Sequence, residues 1–202
     1  MFTGLIREIG KVESFSNSLL KIRANYTPKI GDSIAVNGTC LTVVELWGGG
    51  FSVELSPETE THIAIENLSD EVHIEPAMIM GDRFEGHVVQ GHVDTIGTVR
   101  RIKKNGNSTI FDIGIDKEKI ALMMPKGSVA IDGVSLTVNR VLKDGIELTI
   151  IPHTIENTIF KNYKIGTRIN VETDLFARYV ARILNFKKEF SWEDIEQISA
   201  IY

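Results

Sequence analysis

At 202 residues and a net charge of −5, with only 7% aromatic residues, the chain has room for two small cored domains and lacks the basic stripe of a nucleic-acid binder. Its single cysteine, Cys40, excludes an internal disulfide. The chain opens without a signal-like segment and has no apolar run of the ~18 residues needed to span a membrane, so a cytoplasmic protein without membrane contact is expected.

Met1-Phe2-Thr3-Gly4-Leu5-Ile6 opens the chain, and Thr3-Gly4 allows a close backbone approach. Ile9-Gly10-Lys11-Val12 recurs 87 positions later as Ile96-Gly97-Thr98-Val99. The stretch SIAVNGTCLTV (33–43) recurs as GSVAIDGVSLTV (127–138), with Asn37 matching Asp132 at a spacing of 95. The chain is therefore a duplication, and the eight extra residues of the second copy are expected in a loop at Lys103 to Ser108.

Each repeated stretch reads as a β-hairpin. Asn37-Gly38 and Asp132-Gly133 supply the positive φ angles of a two-residue type I′ turn, and that turn sets Ala35 opposite Cys40 and Ser33 opposite Thr42. Ile34, Leu41 and Val43 then share one face, and Ser33, Cys40 and Thr42 the other. In the second copy Val129, Leu136 and Val138 oppose Lys126, Ser128, Ser135 and Thr137. Such alternation also describes an ordinary solvated sheet face. Small hydroxyls, a thiol and one lysine, in place of long charged chains, favour a face against which a ligand lies. Cys40 matches Ser135 and Gly31 matches Lys126, so two similar half-sites carry unequal groups.

Strands at Phe51 to Leu55 and Ile146 to Ile151 end at Pro57 and Pro152, where Thr59 and Thr154 are expected to cap short helices. Final strands follow at Val72 to Glu75 and Ile169 to Glu172. Between the copies, Gly86-His87 and Gly91-His92 stand five residues apart. That step places the two imidazoles on no common face, and no Cys or carboxylate set completes a metal site, so no metal is expected. His92 is a candidate for hydrogen bonding or proton transfer; His62 and His73 read as surface or satisfied core residues, and His153 as a helix-end residue. After Asp174, a candidate N-cap, Leu175, Phe176, Tyr179, Val180, Ile183 and Leu184 form an apolar helical stripe, and Ser191 begins a second short helix with Trp192, Ile195, Ile198 and Tyr202. Many short strands with Gly and Pro turns indicate small closed barrels.

In order, MFTG, NGTCLTV, GDRFEGHVVQGHVD, PKGSVAIDGVSLTV and IPHT resemble riboflavin synthase of the alpha-chain type, over residues 1 to 185. The resemblance implies an all-β fold of two homologous six-stranded Greek-key barrels plus a C-terminal helix, with a barrel at 1–86, a barrel at 87–173 and a helical oligomerisation tail at 174–202. It implies dismutation of two 6,7-dimethyl-8-ribityllumazine molecules to riboflavin and 5-amino-6-ribitylamino-uracil, without a cofactor, in a homotrimer that pairs the first barrel of one subunit with the second of its neighbour. Association with lumazine synthase is a further partnership the resemblance leaves open. By the same resemblance Cys40, His92, Ser135 and Lys126 are catalytic, and Phe2, Thr3, Gly4, Ser33, Thr42, Gly91, Asp132, Thr137 and Asp174 bind substrate, with Phe2 and Thr3 near His92. The chain departs from the family pattern at Glu60-Thr61-His62 and Ser69-Asp70-Glu71-Val72-His73. A non-catalytic lumazine- or flavin-binding relative of the same fold is the alternative; such relatives tend to lose Ser135-Leu136-Thr137 and the Gly-His pairs.

Overall fold

The computed structural model describes residues 1–189; the second tail helix expected from Ser191 lies outside the described residues. The first copy contributes β1 (Glu8–Ser16), β2 (Leu19–Arg23), β3 (Ser33–Val36), β4 (Thr39–Trp47), β5 (Gly50–Glu54) and β6 (Glu71–Pro76), with α1 (Pro57–His62) between the last two. The second contributes β7 (Thr95–Asn105), β8 (Ser108–Gly114), α2 (Lys117–Ile120), β9 (Ser128–Ile131), β10 (Val134–Leu142), β11 (Gly145–Ile150), α3 (Pro152–Glu156) and β12 (Arg168–Thr173). A final helix, α4, spans Leu175–Glu189.

Each copy closes into an antiparallel barrel, in the order β1-β2-β5-β4-β3-β6 and, correspondingly, β7-β8-β11-β10-β9-β12. Closure leaves no free strand edge. Register shifts at Val12/Ser14 and Val43/Glu45 return at Val99/Arg101 and Val138/Arg140; these bulges sharpen the curl that lets six strands meet. Phe51, Ile22 and Ile34 fill the first core, and Phe111, Ile113 and Ile146 the second, where Phe160 meets Phe111 edge-on at 5.6 Å between ring centres.

The hairpin registers agree with the sequence reading: Ala35 faces Cys40 and Ser33 faces Thr42, while Ala130 faces Ser135 and Ser128 faces Thr137. Asn37 and Gly38 take φ of 44° and 75°, Asp132 and Gly133 of 42° and 83°, as a type I′ turn demands.

Two local expectations are corrected. The Lys103 to Ser108 stretch is a hairpin between β7 and β8 rather than an inserted loop, because β-structure continues to Asn105 and resumes at Ser108. Part of the insertion lies further on, in the segment carrying α2. Thr59 and Thr154 sit inside or beyond the helix starts. α1 begins at Pro57, and its cap is Ser56, whose hydroxyl accepts from Thr59 N at 3.1 Å; proline at the first helical position is what moves the start forward.

Candidate active site

Around a local pseudo-twofold, each barrel covers part of the other. The backbone of Gly38 lies against that of Gly133, and Phe2 pairs with Val89 in an isolated antiparallel bridge. From that bridge the segment leading into the first barrel passes over the second barrel's hairpin: Ser135 N donates to Gly4 O at 2.8 Å. The segment leading into the second passes over the first: Cys40 N donates to Gly91 O, also at 2.8 Å. Gly4 and Gly91 have φ of 79° and 78°, and a Cβ on either would stand 2.6 Å from the Cβ of Ser135 or Cys40. Only glycine allows this approach.

A buried glutamate fastens each arch. Glu75 on β6 accepts from Thr3 N (2.7 Å), Thr3 Oγ1 (2.9 Å) and Gly4 N (3.0 Å). Glu172 on β12 accepts from Gln90 N (2.8 Å), Gly91 N (2.8 Å) and His92 N (3.0 Å). Burial raises both carboxyls, against these N–H donors, which favour the charged form.

At the first hairpin the arch borders an open cleft of about 390 Å³, lined by Thr39, Cys40, Gly91 and His92 and closed opposite by Glu58, Thr59 and His62 of α1. The structure thus brings the candidates Cys40, Gly91 and His92 to one cleft and adds Thr39, Thr59 and His62, which were not site candidates in the sequence. His62 stands in a departure from the family pattern, and its Nδ1 lies 2.7 Å from Glu58 O. Ser33 and Thr42 lie on the Cys40 side of the hairpin, two pairs further along, with Thr42 exposed and Ser33 half-buried like Cys40.

At the second hairpin Ser135 is half-buried beneath Gly4, and its Oγ lies 2.7 Å from His87 Nδ1. His87 is 8% exposed, and its Nε2 is buried with no hydrogen-bond partner among the described residues. Burial lowers its pKa, with the charge of Asp174 acting the other way. The ring is therefore neutral at pH 7. The sequence offered Gly86-His87 only as half of a repeated pair, and the partner Ser135, 48 residues on, could not be inferred from spacing. Thr137 and Lys126 are exposed; Lys126 takes a left-handed φ of 69° where the first copy has Gly31. Asp174 caps α4, accepting from Phe176 N at 2.8 Å.

Three placements differ from expectation. Asp132 is fully buried, and its carboxylate accepts from Tyr163 Oη and from Asn170 N (2.8 Å), so it locks the junction and lines no open pocket. Phe2 is likewise fully buried, packed with Val89, Ala35 and Ala130 between the barrels. Thr3 adjoins His87 rather than His92: His87 N donates to Thr3 O at 3.1 Å. The cause in each case is the pairing of the two hairpin tips, which turns exposed-looking turn and terminal residues inward.

His73 and Asn170 hold matching places at this junction. His73 N donates to Asn37 Oδ1, and its ring joins Asp132 O (2.8 Å) to Ile159 N (2.8 Å). Asn170 Nδ2 donates to Asn37 O, and its Oδ1 accepts from Ala64 N. Desolvation pushes His73 down to about 4 and Asp132 up to about 7. His73 is thus a satisfied core residue, as read from the sequence. Among the described residues no three His, Cys, Asp or Glu gather as a metal ion would require, and no helix is long and apolar enough to cross a membrane.

The lumazine binding domain family matches twice, at residues 3–77 and 90–174. The chain is 37% identical to riboflavin synthase of Bacillus subtilis over 198 residues (94% of this chain, 92% of the relative), and 40% identical to that of Photobacterium leiognathi (91% and 89%). Riboflavin synthase of Saccharomyces cerevisiae is 38% identical over 82% of this chain and 73% of its own. Among solved structures, LumP complexed with riboflavin superposes with a TM-score of 0.76, and LumP complexed with 6,7-dimethyl-8-(1'-D-ribityl) lumazine with 0.73, each at 21% identity over 86% of this chain and 99% of LumP; they share the fold. With both copies matched and three synthases aligned over most of its length, the chain belongs to the riboflavin synthase family.

Proposed function

We propose that the chain is an enzyme that converts two molecules of 6,7-dimethyl-8-ribityllumazine into riboflavin and 5-amino-6-ribitylamino-uracil, the last step of riboflavin biosynthesis. The carrying observation is the 35–40% identity to riboflavin synthases over about nine-tenths of the chain. The two half-sites support it. One molecule gives up a four-carbon unit and the other receives it, so atoms and electrons balance between two copies of one substrate and no external oxidant enters. Homologous clefts with unequal groups suit that division of labour.

In this reading Cys40 and His92, with Gly91 and Thr42, hold one lumazine, while Ser135, Lys126 and Thr137 hold the other. Ser33 lies beside the first, and Asp174 beside the second. Stacking the two ring systems in reacting register supplies roughly 7 to 11 kcal/mol, as orientation does in favourable intramolecular reactions. His87, neutral and bonded to Ser135, sets the direction of that hydroxyl. Each hairpin supplies one wall only, and α4 leaves Phe176, Tyr179, Val180, Ile183 and Leu184 exposed. A homotrimer that buries this stripe and brings the first barrel of one subunit to the second of the next completes both sites. The same reading assigns the units 1–86, 87–173 and 174–202 and a cytoplasmic location.

Incubating the pure protein with the lumazine in the presence of a strong chelator tests this. Flavin absorbance should appear as two lumazines disappear per flavin formed. Tight retention of lumazine with no flavin would favour a binding protein instead, the reading that the likeness to LumP complexes supports. Activity lost to the chelator and restored by zinc or magnesium would overturn the cofactor-free reaction.

A further inference from the structure

The two arches differ in what stands behind them. Glu75 is held by the groups of its own arch, and among the described residues it forms no ion pair. Glu172 also faces Arg178, in the first turn of α4. Arg178 Nη2 donates to Gln90 Oε1 at 3.0 Å and to Glu172 Oε1 at 3.3 Å, and its Nε stands 3.7 Å from Asp94 Oδ2. Asp94 is itself fixed by Thr173, whose N and Oγ1 donate at 3.0 and 2.6 Å. The fork therefore reaches both the side chain beside Gly91 and the carboxylate that orders Gly91 and His92.

Burial makes this contact consequential. The side chain of Arg178 is 23% exposed and that of Glu172 3%, so water screens the pair far less than a surface bridge. Charge-assisted hydrogen bonds in such surroundings hold geometry, and breaking one leaves its partner buried and uncompensated.

We infer that Arg178 is a positioning residue for the Cys40 half-site: through Gln90 and Glu172 it braces the Gly91–His92 turn, coupling the seating of α4 to the shape of that cleft by a bond that the Gly4 arch over Ser135 lacks. The functional meaning rests on the reading of the cleft as a lumazine site. If the apolar stripe of α4 is the assembly surface, subunit docking then reaches the Gly91–His92 turn through Arg178, while at the Ser135 half-site, among the described residues, α4 acts only through the charge of its cap, Asp174, on His87. Among the described residues the fork has no counterpart at the Gly4 arch, so this brace is asymmetric by construction.

The experiment compares the full-length parent protein with Arg178→Met, Arg178→Lys and Gln90→Ala, reading amide hydrogen exchange at Gly91, His92 and Cys40 against Gly4 and Ser135. Binding is followed by the fluorescence of 6,7-dimethyl-8-ribityllumazine. Arg178→Met and Gln90→Ala should each speed exchange at the first set by about tenfold or more, as loss of a charge-assisted bond at a locally opening segment predicts, and leave the second set within about twofold. Arg178→Lys, which keeps the charge but not the fork, should fall between. Lumazine affinity should weaken in the same order. Equal acceleration at both arches, or none at either, overturns the inference. Gln90→Ala leaves α4 intact and decides the matter if Arg178→Met disturbs folding or assembly. A parent protein that binds no lumazine would defeat the proposed function, while the exchange comparison would still decide the role of Arg178.

Discussion

Cys40 and Ser135 hold matching positions on matching hairpins, each under the carbonyl of a left-handed glycine, yet their surroundings diverge. Cys40 opens on a cleft with two exposed imidazoles, His62 and His92, and its arch is braced by α4. Ser135 has one buried imidazole, His87, and its arch stands on Glu75, which forms no ion pair among the described residues. Duplication kept the backbone device, two N–H···O bonds of 2.8 Å, and let the side chains separate. A protein can thus hold two copies of one molecule in nearly equivalent frames and still treat them differently.

Removing each hairpin's polar group is the harshest way to break this comparison. Cys40→Ala and Ser135→Ala should both lower kcat, with Ser135→Ala the more damaging, on the order of 10²-fold, because it also leaves His87 without its bonding partner. Single-turnover formation of flavin by the two variants is the measurement. Equal and negligible losses would reduce both positions to packing roles.

The junction offers a second contrast, since Asn37 and Asp132 share a turn position but only one titrates. Asp132 has its pKa raised to about 7 from 3.8, so the folded state takes up a proton that the unfolded chain does not, and stability rises as pH falls from 7 towards 3.8. His73 has its pKa lowered to about 4 from 6.5, so the unfolded chain takes up the proton first, and stability falls over pH 6.5 to 4. The opposing contributions, about 4 and 3 kcal/mol at full extent, nearly offset. Asp132→Asn, which can still accept from Asn170 N and donate to Tyr163 Oη, should expose the His73 loss. Urea unfolding at pH 7 and 4.5 should show the variant about 3 kcal/mol more acid-sensitive than the parent. Additional His73→Gln should abolish the difference.

A smaller contrast lies at the rim. Asn67 donates to Arg168 O, and Asn162 to Glu71 Oε2, again as matching pairs across the barrels, with Arg168–Glu66 and Lys161–Glu71 ion pairs beside them. These groups are largely exposed. Glu71→Ala should cost less than about 1 kcal/mol and lose that effect in high salt. A cost above about 2 kcal/mol would mean that the barrels are held at the rim and not by their hairpin tips.

The hairpins were legible because Asn-Gly and Asp-Gly between β-branched runs dictate both turn type and register, and register assigns Cys40, Thr42, Ser135 and Thr137 to one side. The repeat made two barrels of one. Hidden from the sequence was everything that depends on how the copies meet. Asp132 read as a turn residue lining the second pocket, but the tip of the other hairpin encloses it. Phe2 looked like a terminal pocket residue and is core. His87 and Arg178 gain their meaning from partners 48 and 88 residues away, and no local pattern marks either.

The crossed arches also bear on synthesis. Asn37 leaves the ribosome 133 residues before Asn170, which donates to its carbonyl, and Cys40 is made well before Gly91. The first barrel can close its sheet early, but its hairpin tip remains uncovered until the second barrel follows. During that interval the nearest surface of the right shape is the same tip on another nascent chain. Two Asn37 tips brought together would form none of the bonds that join Asp132 to Tyr163 and Asn170, since all three belong to the second barrel. The junction is therefore the last part of the molecule to be completed, closed only when His73 meets Asp132 and Asn170 meets Asn37.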